Sequence, residues 1–381
     1  MKLKHHPHEL APRLAQTFKT LFNLHSVRKF VSLFVIGTTL SLAIASCGGN
    51  TASTSSSPNS ASPVANSAKE VELTLVGYAV PKAAHDAIIP KFVEKWQKEK
   101  GQTVTFKQSY GGSGSQTRAI IDGLEADVAN LAIAADTEKL VKAGFVNSDW
   151  TTKTPNNGIV AKTVAAVIVR PGNPKNIKTF DDLTRPDVKW VTADPKTSGG
   201  ARWNFLALWD HALRANNKDE AKATEFVTKA FANVAVLAKD ARESTDAFSK
   251  QGQGDALINY ENEVILAQQK GEKLEYVVPD PNVSIDIPVS VVDKNVDKHG
   301  TREVAEAFVQ YLFTPEAQAE FVKLGFRPLD GAPVKTKENT DKYPAVKALG
   351  TIQEYGGWSE AQKKFFDDGT VFDQVQAAIK R

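Results

Sequence analysis

Four short turns gather the residues of this chain that could hold a ligand. The first is Ser109-Tyr110-Gly111-Gly112-Ser113-Gly114-Ser115-Gln116, between a β-rich run and a helical one. Its glycines allow close backbone approach, and the following helix would aim free N–H groups and a partial positive charge at the turn, so an anion fits there. Ser113 and Ser115 add hydroxyl donors. The second, Asp194-Pro195-Lys196-Thr197-Ser198-Gly199-Gly200-Ala201-Arg202, has the same form: Thr197 or Ser198 can cap a helix, and two glycines expose consecutive N–H groups. The third is Ala241-Arg242-Glu243-Ser244-Thr245-Asp246, where Ser244 or Thr245 reads as the cap. The fourth runs from Gly252 to Glu263 and ends a strand at Tyr260, whose hydroxyl can reach a ligand. Taken singly, these turns also fit a plain Gly-rich loop, two ordinary caps and an aromatic packing on its own sheet.

Other chemistries fit less well. No Gly-Lys-Ser/Thr follows the first turn, which excludes a P-loop, and Thr117 stands where a dinucleotide fingerprint needs its third Gly. A nucleophile elbow on Ser113 matches in part, but Ser115 replaces its last Gly, and only His211 and His299 follow as possible bases. Four of the seven His precede residue 46, a poor stock for metal or His-dependent catalysis, and one Cys excludes a disulfide framework and a Cys-based zinc site. No metal and no cofactor is expected.

Elements that would position these turns alternate along the chain. Val71–Val80, 103–110, 128–134, 159–170, 190–193, 255–260, 274–278 and 287–292 read as strands. Helical spacing runs over 82–100, with Pro90 predicting a kink or break. It runs also over 116–125, 137–143, 202–215, 218–232, 247–250, 263–270, 302–313, 315–324, 359–366 and 372–379. Alternating β and α argues for an α/β protein with mostly parallel sheets flanked by helices. So long an alternation would strain one core, so two lobes joined by two crossing strands are expected. Their boundaries are 70–162 plus 286–340 for lobe I and 163–285 for lobe II, with a C-terminal helical segment at 341–381. That geometry permits closure on a ligand held between the lobes.

Of 381 residues, 24% are charged and 41% hydrophobic, an ordinary globular balance. Residues 1–46 hold six basic side chains and one acid; taking these from totals of 47 and 44 leaves 41 basic against 43 acidic, net −2. A nucleic-acid footprint is therefore absent from the remainder. The apolar run 30–46, behind Arg28 and Lys29, ends in Ile44-Ala45-Ser46-Cys47. It reads as a secretory signal with a lipobox, in which Cys47 is lipidated; an uncleaved anchor helix is the other reading. Residues 47–69, rich in Ser and Ala, read as a flexible tether. Both readings put the globular part outside the inner membrane.

Together the strings SYGGSGSQ, GLEADVANLA, VRPGNPK, PKTSGGARWNFLALW, GDALINYENE and SVVDK resemble the sulfate-binding proteins of bacterial ABC importers, over roughly residues 70–330 and on into Gly356-Gly357-Trp358. The resemblance implies a two-lobed periplasmic-binding-protein fold of the second type, with no catalysis. It implies sulfate, or thiosulfate, held between the lobes and passed to the permease subunits of the importer by a monomer. Carried over residue by residue, it implies a hydroxyl from Ser113 and backbone N–H groups from Ala79, Ser198, Gly199, Gly200 and Ala241. Tyr260 takes the place where the family has Trp, and Glu243 stands where Gly is expected. Arg202 and Arg242 match family arginines and are expected to act indirectly. Molybdate and phosphate are the other tetrahedral candidates.

Overall fold

The computed structural model describes residues 70–379, which belong to one compact unit. The signal, Cys47 and the tether lie outside the described residues. Among the described residues no helix is long and apolar enough to cross a membrane.

Ten strands form the sheet: β1 (Val71–Tyr78), β2 (Val104–Gly111), β3 (Val128–Asn130), β4 (Ile159–Val169), β5 (Trp190–Ala193), β6 (Val234–Ala238), β7 (Ala256–Tyr260), β8 (Glu275–Val277), β9 (Asn282–Val291) and β10 (Leu349–Gly350). Their order is β2-β1-β3-β9-β4-β7-β5-β6, with β8 on β4 and β10 on β9. Strand β1 runs parallel to β2 and β3, and β5 runs parallel to β6 and β7. The two long strands join these parallel groups and change partners midway. Residues 159–164 of β4 pair with β9, and 165–169 pair with β7. Residues 284–288 of β9 pair with β4, and 289–291 pair with β3. Both are buried along most of their length, and polar residues such as Thr163 and Ser290 are buried with the apolar ones.

Helices follow the parallel strands in right order for βαβ crossovers. The first, Lys82–Lys100, buries Ala84, Ile88, Phe92 and Trp96 and stops at Gly101, whose φ of 65° suits glycine. It is not broken at Pro90. Pro90 and Asp86, whose carbonyl loses its partner, both lie on the exposed face, where water can serve that carbonyl. Several sequence expectations shift by a few residues, each toward an earlier helix, those expected from Ala247 and Glu263 among them. The helix expected from Gln116 begins at Ser113 and ends at Ile121; the one expected from Arg202 runs from Gly199 to Ala215. Strand β3 stops at Asn130 rather than Ala134, because Ala134–Lys142 is already helical. Strand β6 and the helix Asp293–His299 were not expected.

Candidate functional site: a buried anion cleft at the strand ends

Every candidate turn lies at the carboxyl end of a parallel strand, where open α/β sheets place their ligands. Strand β2 runs into the Ser113 helix, β5 into the Gly199 helix, β6 into the helix Ala241–Ser249, and β7 into the helix Glu261–Gln269. Tyr78, the last residue of β1, is in register with Gly111, so Ala79 follows at the same end.

The turns touch. A Cβ on Gly112 would stand 2.7 Å from the Thr197 carbonyl oxygen and 2.9 Å from that of Lys239, two residues before Ala241. Only a residue without a side chain lets these backbones meet. The Gly114 N–H donates to the Thr197 carbonyl at 3.1 Å. A Cβ on Gly199 would press on Ala132, Ser113 and Ile133 at 3.0–3.2 Å, and one on Gly200 would stand 2.6 Å from the Tyr260 hydroxyl. Ser113, Gly199, Gly200 and Tyr260 are thus brought together directly. Ala241 joins them through Lys239 and through Asn259, whose amide donates to the Ala241 carbonyl at 2.7 Å.

Two of these helix starts keep N–H groups to offer, since the Gly114 N–H of the Ser113 helix is already given to Thr197. Ser198 caps the Gly199 helix by accepting the Ala201 N–H at 3.3 Å. Asp240 caps the Ala241 helix by accepting the Glu243 N–H at 2.9 Å. Both caps take the third N–H and leave the first two, those of Gly199 and Gly200 and those of Ala241 and Arg242, without an intrahelical acceptor. The expected caps Ser244 and Thr245 are instead inside the helix, where their hydroxyls donate back to the Asp240 and Ala241 carbonyls. Asp240 wins because it precedes the first helical residue in extended conformation and its carboxylate reaches the third N–H. Ser198 also departs from expectation: its N–H donates to the Asp194 carbonyl at 2.8 Å. The tight turn spends that N–H, and what Ser198 has to offer is its hydroxyl proton.

Charge stands one layer back. The Ser113 hydroxyl accepts the Ala132 N–H at 3.0 Å and donates to Asp136 at 2.7 Å. Asp136 is buried and also meets Arg202 at 3.2 Å and Lys139 at 3.0 Å. Burial pushes its carboxyl upward, but the Arg202 and Lys139 charges outweigh this and hold it below the usual range. Arg202 further donates to the Pro195 carbonyl at 2.9 Å, tying down the second turn. Arg242 clasps Glu263, at the end of the fourth turn, with two bonds, 2.9 and 2.8 Å. Glu263 is buried, and burial raises its carboxyl despite Arg242. Glu243 pairs with Lys239 at 3.2 Å, so its charge is met by a cation at the rim.

Sequence reasoning missed Asp136, Glu263, Trp203 and Tyr78. Trp203, on the Gly199 helix, donates to the Ala132 carbonyl at 3.0 Å, and Trp358 meets its ring edge-on at 4.6 Å. The Tyr78 and Tyr260 rings meet edge-on at 6.1 Å, and neither hydroxyl has a hydrogen-bond partner. Tyr78 sits beside Ala79, the one signal that could have found it. His211 pairs with Asp181 and His299 with Asp127 and Glu125, so neither serves Ser113 as a base. Among the described residues no group of His, Cys, Asp and Glu gathers as a metal site would require.

Helix starts gathered between two parallel strand groups, which two crossing strands join, define a two-lobed α/β binding protein of the periplasmic type. Comparison with known proteins specifies the class. Residues 73–327 match the family described as bacterial extracellular solute-binding protein, and the chain belongs to that family. It is 51% identical to a sulfate-binding protein of Synechococcus elongatus, over 92% of this chain and 97% of that one. It is 41% identical to the sulfate-binding protein of Escherichia coli, over 81% and 94%. A thiosulfate-binding protein of Pseudomonas aeruginosa is 38% identical, over 79% and 90%. Among solved structures, the sulfate-binding protein SubI of Mycobacterium tuberculosis superposes with a TM-score of 0.71 at 36% identity, covering 78% of this chain and all of that one.

Proposed function

We propose that this protein captures sulfate between its two lobes outside the cytoplasm and delivers it to an ABC importer. The observation that carries this reading is the meeting of three helix starts around Ser113, Gly199, Gly200 and Tyr260, with cations held one layer back. Burying a bare anion is very costly unless its hydration is replaced. Here N–H groups aimed by helix ends replace it, each hydrogen bond to the charged ligand contributing about 1.5–3 kcal/mol. The ligand set is Ala79, Gly199, Gly200 and Ala241 through N–H groups and Ser198 and Tyr260 through hydroxyls, joined by Ser113 once its proton, held by Asp136 in the structure, turns to the ligand; Arg202 and Arg242 act by holding Asp136 and Glu263. Relatives named for sulfate support this ligand. Thiosulfate is the second reading, favoured by relatives named for it.

The lobes are residues 70–162 with 286–340, and 163–285; the partner changes of β4 and β9 near those boundaries support the division. Cys47 is the lipidated residue that tethers the monomer to a membrane. Ser113 is a ligand donor, not a nucleophile.

Isothermal titration of the protein, dialysed free of sulfate, tests the reading. Tight one-to-one sulfate binding that Gly199→Leu abolishes in a folded variant is expected. A folded Gly199→Leu variant with unchanged affinity would sink the site.

A further inference from the structure

Two hydroxyls in this cleft have hydrogen-bonding capacity that the protein leaves unspent. Tyr78 and Tyr260 are 2% and 0% exposed, and neither phenol oxygen meets a donor or acceptor. The Tyr260 oxygen lies against the Gly200 backbone, at the start of the Gly199 helix. Burial, with the neighbouring Glu263 carboxylate and, for Tyr260, Asp136 as well, pushes both phenols well above their ordinary value. Both therefore keep their protons at neutral pH.

The neighbouring groups differ in one respect. Ser113 Oγ already accepts the Ala132 N–H, and Ser198 Oγ already accepts the Ala201 N–H. The backbone groups of Gly199, Gly200 and Ala241 in their first helical turns can only donate. A phenol donates one hydrogen bond and also accepts. Each serine oxygen keeps one further lone pair, but the Tyr260 hydroxyl beside Gly200 makes no hydrogen bond at all, so its acceptor capacity is wholly uncommitted.

We propose that Tyr78 and Tyr260 together set which tetrahedral anions the cleft takes, and that Tyr260 lets it take a proton-bearing oxyanion, hydrogen phosphate, as well as sulfate. The inference rests on the anion reading above. Sulfate at neutral pH only accepts, so both phenols donate to it. Hydrogen phosphate brings an O–H of its own, and burying that donor unpaired is costly. Tyr260 receives it with a lone pair that no group of the protein uses.

The test is titration of the full-length protein with sulfate and, separately, with phosphate, at one pH near neutrality. The parent is compared with Tyr260→Phe and Tyr78→Phe, each checked for fold by circular dichroism. Phosphate is expected to bind the parent within about a thousandfold of sulfate. Tyr260→Phe should weaken phosphate at least about tenfold more than sulfate, and Tyr78→Phe should weaken sulfate about tenfold or more. If Tyr260→Phe does not fold, Tyr260→Trp asks the same question, since an indole donates but does not accept; it should keep sulfate and lose phosphate. Phosphate weaker than sulfate by more than about a thousandfold in the parent overturns the inference and leaves sulfate capture standing. Equal loss of both anions in the Tyr260 variant overturns the acceptor role. A folded parent that binds neither anion overturns the anion reading as well.

Discussion

Two buried arginine–carboxylate pairs stand behind the cleft, and they are wired differently. Arg242 grips Glu263 with two short bonds, whereas Arg202 reaches Asp136 with one nitrogen at 3.2 Å. The better-formed pair nevertheless leaves its carboxyl raised, while the looser one has its carboxyl lowered. The difference lies in the company. Asp136 has Lys139 and the Ser113 hydroxyl besides Arg202, enough to overcome burial. Glu263 has Arg242 at contact and the charge of Lys270 besides, but Asp240 opposes them, no hydroxyl among the described residues donates to it, and burial wins. Pair geometry alone does not decide whether a buried charge is secure; the number of groups that answer it does. Charge is fixed where it touches a proposed ligand donor, Ser113, and can be relinquished behind the Ala241 helix.

The largest effect should come from breaking the Asp136 side. Asp136→Ala strands Arg202 in the interior, since a guanidinium cannot shed its charge, and should cost about 3–5 kcal/mol by chemical denaturation. Arg242→Ala should cost less, about 1–2 kcal/mol, because Glu263 can take up a proton. A larger loss for Arg242→Ala would break the contrast.

Next in size is an acid response from outside both pairs. His85 is buried against the Tyr110 hydroxyl at 2.8 Å, and burial lowers it from 6.5 to about 4. The unfolded chain binds this proton first, so stability should fall as pH drops from about 6.5 toward 4, by up to about 3 kcal/mol. A His85→Gln variant should lose stability less steeply across that window. An unchanged slope would mean that other groups carry the acid sensitivity.

Melting curves extended below this window into strong acid then separate the two carboxyls. Asp136 has a lowered value, so its contribution is present above about 3.8 and is lost as pH falls through its lower folded value. Glu263 has a raised value, so its charged form is a burden above that value, relieved as pH falls through it. Asp136→Asn should therefore lose least, relative to the parent, in strong acid. Glu263→Gln should gain on the parent as pH rises above about 4.5, by a few degrees. Parallel trends in the two variants would show that the pairs are equivalent. The smallest effect belongs to the rim: Lys239→Ala removes an exposed partner of Glu243 and should leave the melting temperature within about one degree.

Much of the architecture is legible from local chemistry. The first helix is bracketed by Pro81 and Gly101, and the β runs at 159–170 and 287–292 announce the two long strands β4 and β9. The Gly-rich turns are visible because glycine is needed where backbones meet, as Gly112 does under Thr197 and Lys239. What escaped depends on partners far away in sequence. Strand β6 is short and half exposed, so Val-Ala-Val-Leu-Ala carries no clear period until β5 pairs with it. Asp240 and Ser244 are equally good caps by type, and the register of the turn decides between them. Asp136 gains its meaning from Arg202, 66 residues on, and Tyr78 gains its own from Tyr260.

Trp203 carries one further consequence. Its indole N–H bonds the Ala132 carbonyl, and the Trp358 ring sits on its face, all buried. Any parting of the Gly199 helix from the short segment between β3 and the Ala134 helix must break that bond and admit solvent to the ring. One of the six tryptophans thereby reports on the seam: the difference in emission between the parent and Trp203→Phe should move to longer wavelength when the seam opens and return when ligand shuts it. The rate of domain motion can then be followed by stopped flow on the unlabelled protein.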